Sequence, residues 1–184
     1  MDYQEYSGGA QIQLRWKTPG DTAFSTIAPN RLYTAPVAGG SGTGLAAQYF
    51  NNADLLGNAV LTRVEAVNFD WGNGSPGAGV PTDFFSARWS GFVEAGTGGA
   101  YQFQSTSDDG VRVRVNGQLV IDNFTPHGPT VDTSAVLNLV AGQRYSIVVE
   151  YQEYTGGALM QLRWKPPGDT LFSVVPASRL YTAP

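Results

Sequence analysis

The sequence predicts an all-β protein, an antiparallel β-sandwich or barrel, on three observations. Short runs alternate apolar and polar residues, as in "VRVRV", where Val111, Val113 and Val115 face one way and Arg112 and Arg114 the other. Turn-forming residues separate these runs, with 23 Gly in 184 residues. No segment carries a convincing helical period.

The runs follow in order. "GLAAQYF" (44–50) reads as a short apolar strand, followed by the turn-rich "NNADLLGN". "PTDFFSARWSGFVEA" (81–95) carries Phe85, Trp89 and Phe92, and "GAYQFQSTS" places Tyr101, Phe103 and Ser105 on one face. "VRVRVNGQLVIDN" is the strongest local signal, because Asn116-Gly117 between two alternating runs predicts a type I′ hairpin. "YSIVVEYQEY" sets Tyr145, Ile147, Val149 and Tyr151 on one face, and "LMQLRWK" does the same with Met160, Leu162 and Trp164.

The chain also repeats itself. Residues 3–36 match 151–184 without a gap, 24 of 34 positions being identical, at an offset of 148 residues. That offset has the size of a domain rather than of a solenoid repeat. "VAGGSGTG" (37–44) reads as a small, uncharged, flexible linker. The division expected is therefore a C-terminal portion of a preceding repeat at 1–36, a linker at 37–43 and a complete domain at 44–184. Within the copy, Ile12 answers Met160 and Leu14 answers Leu162, an apolar face that needs a sheet to cover it. Residues 1–36 are either an incomplete repeat or strands able to replace 151–184 in a barrel, which would join neighbouring copies head to tail.

Composition narrows the function classes. Charged residues are 14% of the chain, the net charge is −4, Lys occurs only at 17 and 165, and the Arg residues are scattered, so no basic patch for nucleic acid is expected. There is no Cys, which excludes disulfides and thiolate metal sites. No apolar run reaches the length of a membrane span, so no membrane insertion is expected. Catalysis is not expected either. Adjacent Asp108 and Asp109 cannot bracket a glycosidic bond with carboxyl groups roughly 5–9.5 Å apart. Ser107, His127 and Asp122 lack a nucleophile elbow, and "GNGSPGAGVP" (72–81) lacks the Lys and helix of a phosphate loop.

Three clusters remain. In "STSDDGVRV", Asp108 and Asp109 lie on a tight connection between strands, and their side chains converge only if the backbone between them is irregular. Converging carboxylates without a nearby Lys or Arg call for a hard cation such as Ca²⁺; the alternative is a plain Asp-Asp-Gly turn with solvated carboxylates. "EYTGGA" (153–158) has paired glycines that expose backbone carbonyls, or is a simple bulged connection. Asp122, Asn123 and His127 form the third, where a lone His suits a structural hydrogen bond better than a transition metal.

"GLAAQYF", "FSARWSGFVEA…GAYQFQSTSDDGVRVRVNGQLVIDN…H", "GQRYSIVVEYQEYTGGALMQLRW" and "RLYTAP" together resemble the PA-14 (protective-antigen-type) β-barrel domain over essentially all of 44–184. The resemblance implies that Asp108 and Asp109, joined by a cis peptide, bind Ca²⁺. It further implies that the loop at Thr155, Gly156, Gly157 and Ala158 supplies more oxygens, largely from its backbone, and that sugar hydroxyls complete the shell. Asn123, Phe124 and Tyr154 are the implied glycan contacts, with Phe124 standing where many members carry Trp. The function implied is a calcium-dependent carbohydrate-binding module of an extracellular or cell-surface adhesin built from tandem repeats, with glycans or polysaccharide as partners. The alternatives are a structural repeat that spaces or polymerises a surface filament by strand exchange, with Ca²⁺ structural only, and an accessory domain of a carbohydrate-active enzyme.

Overall fold

The computed structural model describes residues 15–17, 22–26 and 42–184, and divides the chain into two compact units, Met1–Gly39 and Gly40–Pro184. In the first unit, β1 (Arg15–Trp16) pairs antiparallel with β2 (Ser25–Thr26). Arg15 faces Thr26 and Trp16 faces Ser25; 148 residues on, Arg163 faces Val174 and Trp164 faces Ser173. The copy thus keeps the register of its counterpart. Most of the 1–36 copy, including Ile12 and Leu14, and most of the 37–43 linker lie outside the described residues.

The second unit is the expected all-β sandwich. Its strands are β3 (Leu45–Phe50), β4 (Leu61–Glu65), β5 (Asn68–Gly72), β6 (Phe85–Glu94), β7 (Gly99–Asp108), β8 (Val111–Val115), β9 (Gln118–Asn123), β10 (Thr130–Thr133), β11 (Leu137–Leu139), β12 (Arg144–Glu153), β13 (Ala158–Lys165), β14 (Ser173–Val174) and β15 (Leu180–Tyr181). One sheet runs β4-β3-β6-β12-β8-β9 with β15 also on β6; the other runs β10-β7-β13-β14 with β11 on β7 and β5 on β13. All pairings are antiparallel. The strands of 151–184 close their own sandwich through β6 and β7. Among the described residues the one helical element is a short 3₁₀ turn, Ala177–Arg179, so no helix is long and apolar enough to cross a membrane.

The alternation read from the sequence becomes the core. Val111, Val113 and Val115 of β8, Ile147, Val149 and Tyr151 of β12, Tyr101 and Phe103 of β7, and Met160, Leu162 and Trp164 of β13 are all buried in one cluster. Asn116 and Gly117 both take positive φ, as the β8–β9 hairpin turn requires. Aromatic rings fill the middle. Trp89 meets Tyr49 edge-on at 5.7 Å, while Trp71 stacks on Phe69 at 4.9 Å and packs against Phe85 and Tyr151. Such pairs add about 0.5–1.5 kcal/mol each beyond their buried area.

The outer face of the larger sheet is held by charge. Glu150 stands in register between Arg88 of β6 and Arg112 of β8. Its carboxylate accepts from Arg88 Nε at 2.9 Å, Arg112 Nε at 2.5 Å and Arg114 Nη1 at 3.3 Å. Burial pushes the Glu150 carboxyl up, and the hydrogen bonds from Arg112 and Arg88 outweigh it, leaving its pKa below the usual carboxylate range.

Removing that carboxylate leaves three guanidinium groups crowded together. Glu150→Ala should lower the unfolding free energy by roughly 2–3 kcal/mol, less than for a fully buried pair because the arginines are about a third exposed. The depressed pKa means this stabilisation is present above the ordinary value of 4.5 and is lost as pH falls below it. Urea titrations of the two proteins at neutral pH, repeated toward pH 3, should therefore converge; equal stability at neutral pH would refute the role given to Glu150.

Candidate functional site at the sheet-switching end

Four connections carry the chain from one sheet to the other and meet at one end of the sandwich. They are residues 73–84 between β5 and β6, 109–110 between β7 and β8, 124–129 between β9 and β10, and 154–157 between β12 and β13. The β7–β8 crossing is accomplished by Asp109 and Gly110 alone, which supplies the irregular backbone that two neighbouring Asp residues need. Space for it comes from glycine: a Cβ on Gly110 would lie 2.5 Å from Gln152 Nε2.

Asp109 ties these connections together. It is 6% exposed, and its two oxygens accept different backbone N–H groups, from His127 at 2.9 Å and from Tyr154 at 2.8 Å. Tyr154 in turn accepts from the Phe84 N–H at 3.0 Å, and Asp83 Oδ1 accepts from the Gly156 N–H at 3.1 Å. Hydrogen bonds to a charged group are worth about 1.5–3 kcal/mol each, so one carboxylate fixes the 124–129 and 154–157 connections.

Asp108 closes β7 opposite Leu159, and its side chain is half-buried. Gly157 lies against it, since a Cβ there would come within 3.3 Å of Asp108 Oδ2. Burial pushes the Asp108 carboxyl up, the Asp109 backbone N–H pulls it down, and the Asp109 charge pushes it up again. The Asp108–Asp109 peptide bond is trans, as is every described peptide bond, and not cis as expected. At a non-proline residue the trans form is favoured by about 2.5–4 kcal/mol.

Beneath the pair lies the carboxyl group of Glu153, the first residue of the 153–158 cluster. Glu153 is fully buried at the end of β12, and its Oε1 has no hydrogen-bond partner among the described residues. Its other oxygen lies 2.7 Å from the Tyr151 hydroxyl, which also contacts the Asp108 carbonyl. One hydroxyl proton cannot serve two acceptors, so a protonated Glu153 satisfies the chain: Glu153 donates to Tyr151 and Tyr151 to the Asp108 carbonyl. Burial, followed by the charges of Asp109, Asp108 and Asp83, outweighs the Tyr151 hydrogen bond and raises the Glu153 carboxyl from 4.5 to about 7.

The other expected residues fall in several places. Thr155 and Gly156 are exposed on the 154–157 connection, Gly156 at φ +108, whereas Ala158 is buried at the start of β13. Tyr154 joins the site. Asn123 and Phe124 are engaged elsewhere: the Asn123 amide donates to Asp132 at 3.1 Å, and the Phe124 ring lies 4.2 Å from the Arg112 guanidinium. His127 contributes its backbone N–H, and its ring Nδ1 sits 2.8 Å from the Gly128 carbonyl.

Two site residues had readable signals. Glu153 continues the inward parity of Tyr145, Ile147, Val149 and Tyr151, a carboxylate on a core face. Phe84 precedes the buried Phe85, and neighbours in a strand cannot both face the core. Phe84 takes φ +55, a left-handed conformation that costs a bulky residue about 1–2 kcal/mol.

Hard oxygen atoms dominate the end: the carboxylates of Asp108 and Asp109, the Glu153 carboxyl, and the backbone of 154–157, exposed at Thr155 and Gly156. Among the described residues no three acidic or histidine side chains gather closely enough to cage a metal by themselves. The residues fit a hard cation held by two carboxylates and completed by neutral oxygens, the mode of Ca²⁺.

Because its folded pKa is raised, Glu153 contributes stability that is fully present below 4.5 and is lost as pH rises through about 7. At about 1.4 kcal/mol per pH unit the loss is on the order of 3 kcal/mol. In chelator, the wild type should lose stability from pH 5 to pH 7.5, and Glu153→Gln should not. A wild type with no such slope would show that Glu153 is not held protonated.

The PA14 domain family profile matches residues 41–177. The chain is 33% identical over 157 residues to "Anti-sigma-I factor RsgI3" of Acetivibrio thermocellus, covering 85% of this chain and 24% of that protein. A solved anti-sigma factor domain-containing protein from Clostridium clariflavum superposes with a TM-score of 0.73 at 31% identity, over 92% of this chain and 60% of the other. The PA14 sugar-binding domain from an RTX adhesin superposes with a TM-score of 0.64 at 19% identity, over 77% of this chain and 99% of the other, a likeness of fold. The chain spans about a quarter of the curated relative's length. Sandwich, motif order and profile agree: this chain belongs to the PA14 domain family.

Proposed function

We propose that the chain carries a calcium-dependent carbohydrate-binding module of an extracellular or cell-surface protein. The observation that carries this reading is the acidic end of the sandwich, where Asp109 anchors two connections while Asp108, Asp83 and Glu153 add negative charge. Asp108 and Asp109 would hold the ion, with neutral oxygens of 154–157 beside them. The ion would then present open positions to sugar hydroxyls. A PA14 neighbour described as sugar-binding supports a carbohydrate ligand.

The setting follows from the relatives. Proteins named as anti-sigma factors match at 31–33% identity, against 19% for the adhesin domain. This favours a regulatory parent, in which the module senses a polysaccharide, over an adhesin. The 92% coverage by the Clostridium clariflavum structure necessarily reaches into residues 1–39, beyond the 41–177 profile match. Together with the shared β1–β2 and β13–β14 register, that supports a preceding repeat and so a tandem arrangement. The same duplication supports a second reading, a repeat that spaces or joins copies by strand exchange with structural calcium.

Calcium at a hundred times its dissociation constant should stabilise the protein by about 2.7 kcal/mol, read as a rise in melting temperature. Asp108→Asn should abolish that rise. A glycan array probed with and without chelator separates the readings: calcium-dependent binding supports the module, and no binding at saturating calcium leaves the spacer.

A further inference from the structure

Phe84 is an anomaly that neither the core nor the acidic centre explains. It is a bulky side chain at φ +55, and it is 54% exposed, while Phe85 beside it fills the core. Strain of this kind persists where the surroundings over-determine it, and a ring more than half exposed gains little from the core. What fixes Phe84 is the site. Its N–H donates to the Tyr154 carbonyl, the Tyr154 N–H donates to Asp109, and Asp83 on its other side holds Gly156. The backbone of Phe84 is thus held by the same residue, Tyr154, that donates to Asp109.

The ring also has a partner. Phe84 and Tyr154 stand edge to face, 6.3 Å between centroids and 80° between planes. Tyr154 is half-buried, and its hydroxyl makes no hydrogen bond among the described residues. Two rings at right angles form a corner. An extended polysaccharide lying on a flat surface would call for coplanar rings, whereas a corner closes around one ring at the end of a chain. Aromatic faces are electron-rich and receive the C–H face of a pyranose, with polar groups at the margin fixing its orientation.

We propose that Phe84 and Tyr154 form an aromatic corner that packs against the C–H face of a terminal pyranose whose hydroxyls are turned toward the acidic centre. The module therefore reads glycan chain ends rather than the flanks of a polymer. This rests on the carbohydrate-binding reading and names the substrate class of the same site. Phe84 sets specificity there by shape.

Saturation-transfer NMR of the full chain in calcium tests it, with free galactose, glucose, mannose and arabinose as probes, alongside sedimentation with insoluble cellulose and xylan. The expected result is transfer to the C–H protons of at least one free sugar, and no sedimentation. Phe84→Gly removes the ring and relieves the left-handed backbone; it should keep the calcium-induced rise in melting temperature and bind that sugar roughly tenfold or more weakly. Phe84→Ala should weaken it similarly. Unchanged sugar binding in both variants, or binding to the insoluble polymers alone, overturns the corner and leaves the carbohydrate reading standing. No sugar or polymer bound by the wild type overturns both.

Discussion

One buried carboxylate organises the functional end of this sandwich. Asp109 accepts the backbone N–H of His127 with one oxygen and that of Tyr154 with the other, and so joins loops that arrive from different strands. The Tyr154 peptide passes the constraint on to Phe84. Because all four loops are crossings between sheets, their backbone groups lack the ladder partners that strands provide. Buried N–H groups must be satisfied by something, and here a charge satisfies two of them. Position and chemistry are thus set by the same residue.

The aromatic core supports that arrangement from below. Trp71 and Phe85 pack on Tyr151, whose hydroxyl reaches the Asp108 carbonyl and the Glu153 carboxyl. The rigid interior of the sandwich therefore extends to within one hydrogen bond of the acidic pair. On the opposite side of β12, Glu150 clamps β6 to β8 through Arg88 and Arg112. The two glutamates of one strand have opposite fates. Glu150 faces arginines, which hold its carboxyl below the usual range; Glu153 faces burial and acids, which raise its carboxyl to about 7.

The strands were legible because period-two alternation survives wherever one face is buried: Val111 to Val115, Tyr145 to Tyr151 and Met160 to Trp164 all meet the core as their parity requires. Asp108 and Asp109 were legible as a pair because adjacent acids in a strand pattern demand an irregular backbone. What alternation cannot express is which connections meet. Asp83 and Phe84 are some 70 residues from Gly156 in sequence, and nothing local ties them together. For the same reason Asn123 and Phe124, near the site in the linear pattern, turn instead to Asp132 and Arg112. The duplication was legible as sequence, and the matched registers of β1–β2 and β13–β14 give it a structural counterpart.

A calcium ion on Asp108 and Asp109 would add positive charge beside Glu153, whose carboxyl is raised to about 7 by burial and the neighbouring carboxylates, and so should release its proton. Isothermal titration of calcium at about pH 6.5, in buffers of different ionisation enthalpy, counts that proton directly. Release of up to about one proton per calcium bound is the expected result, and Glu153→Gln should bind calcium with no release. No calcium binding would contradict the cation site, and calcium binding without proton exchange would contradict a Glu153 proton coupled to it.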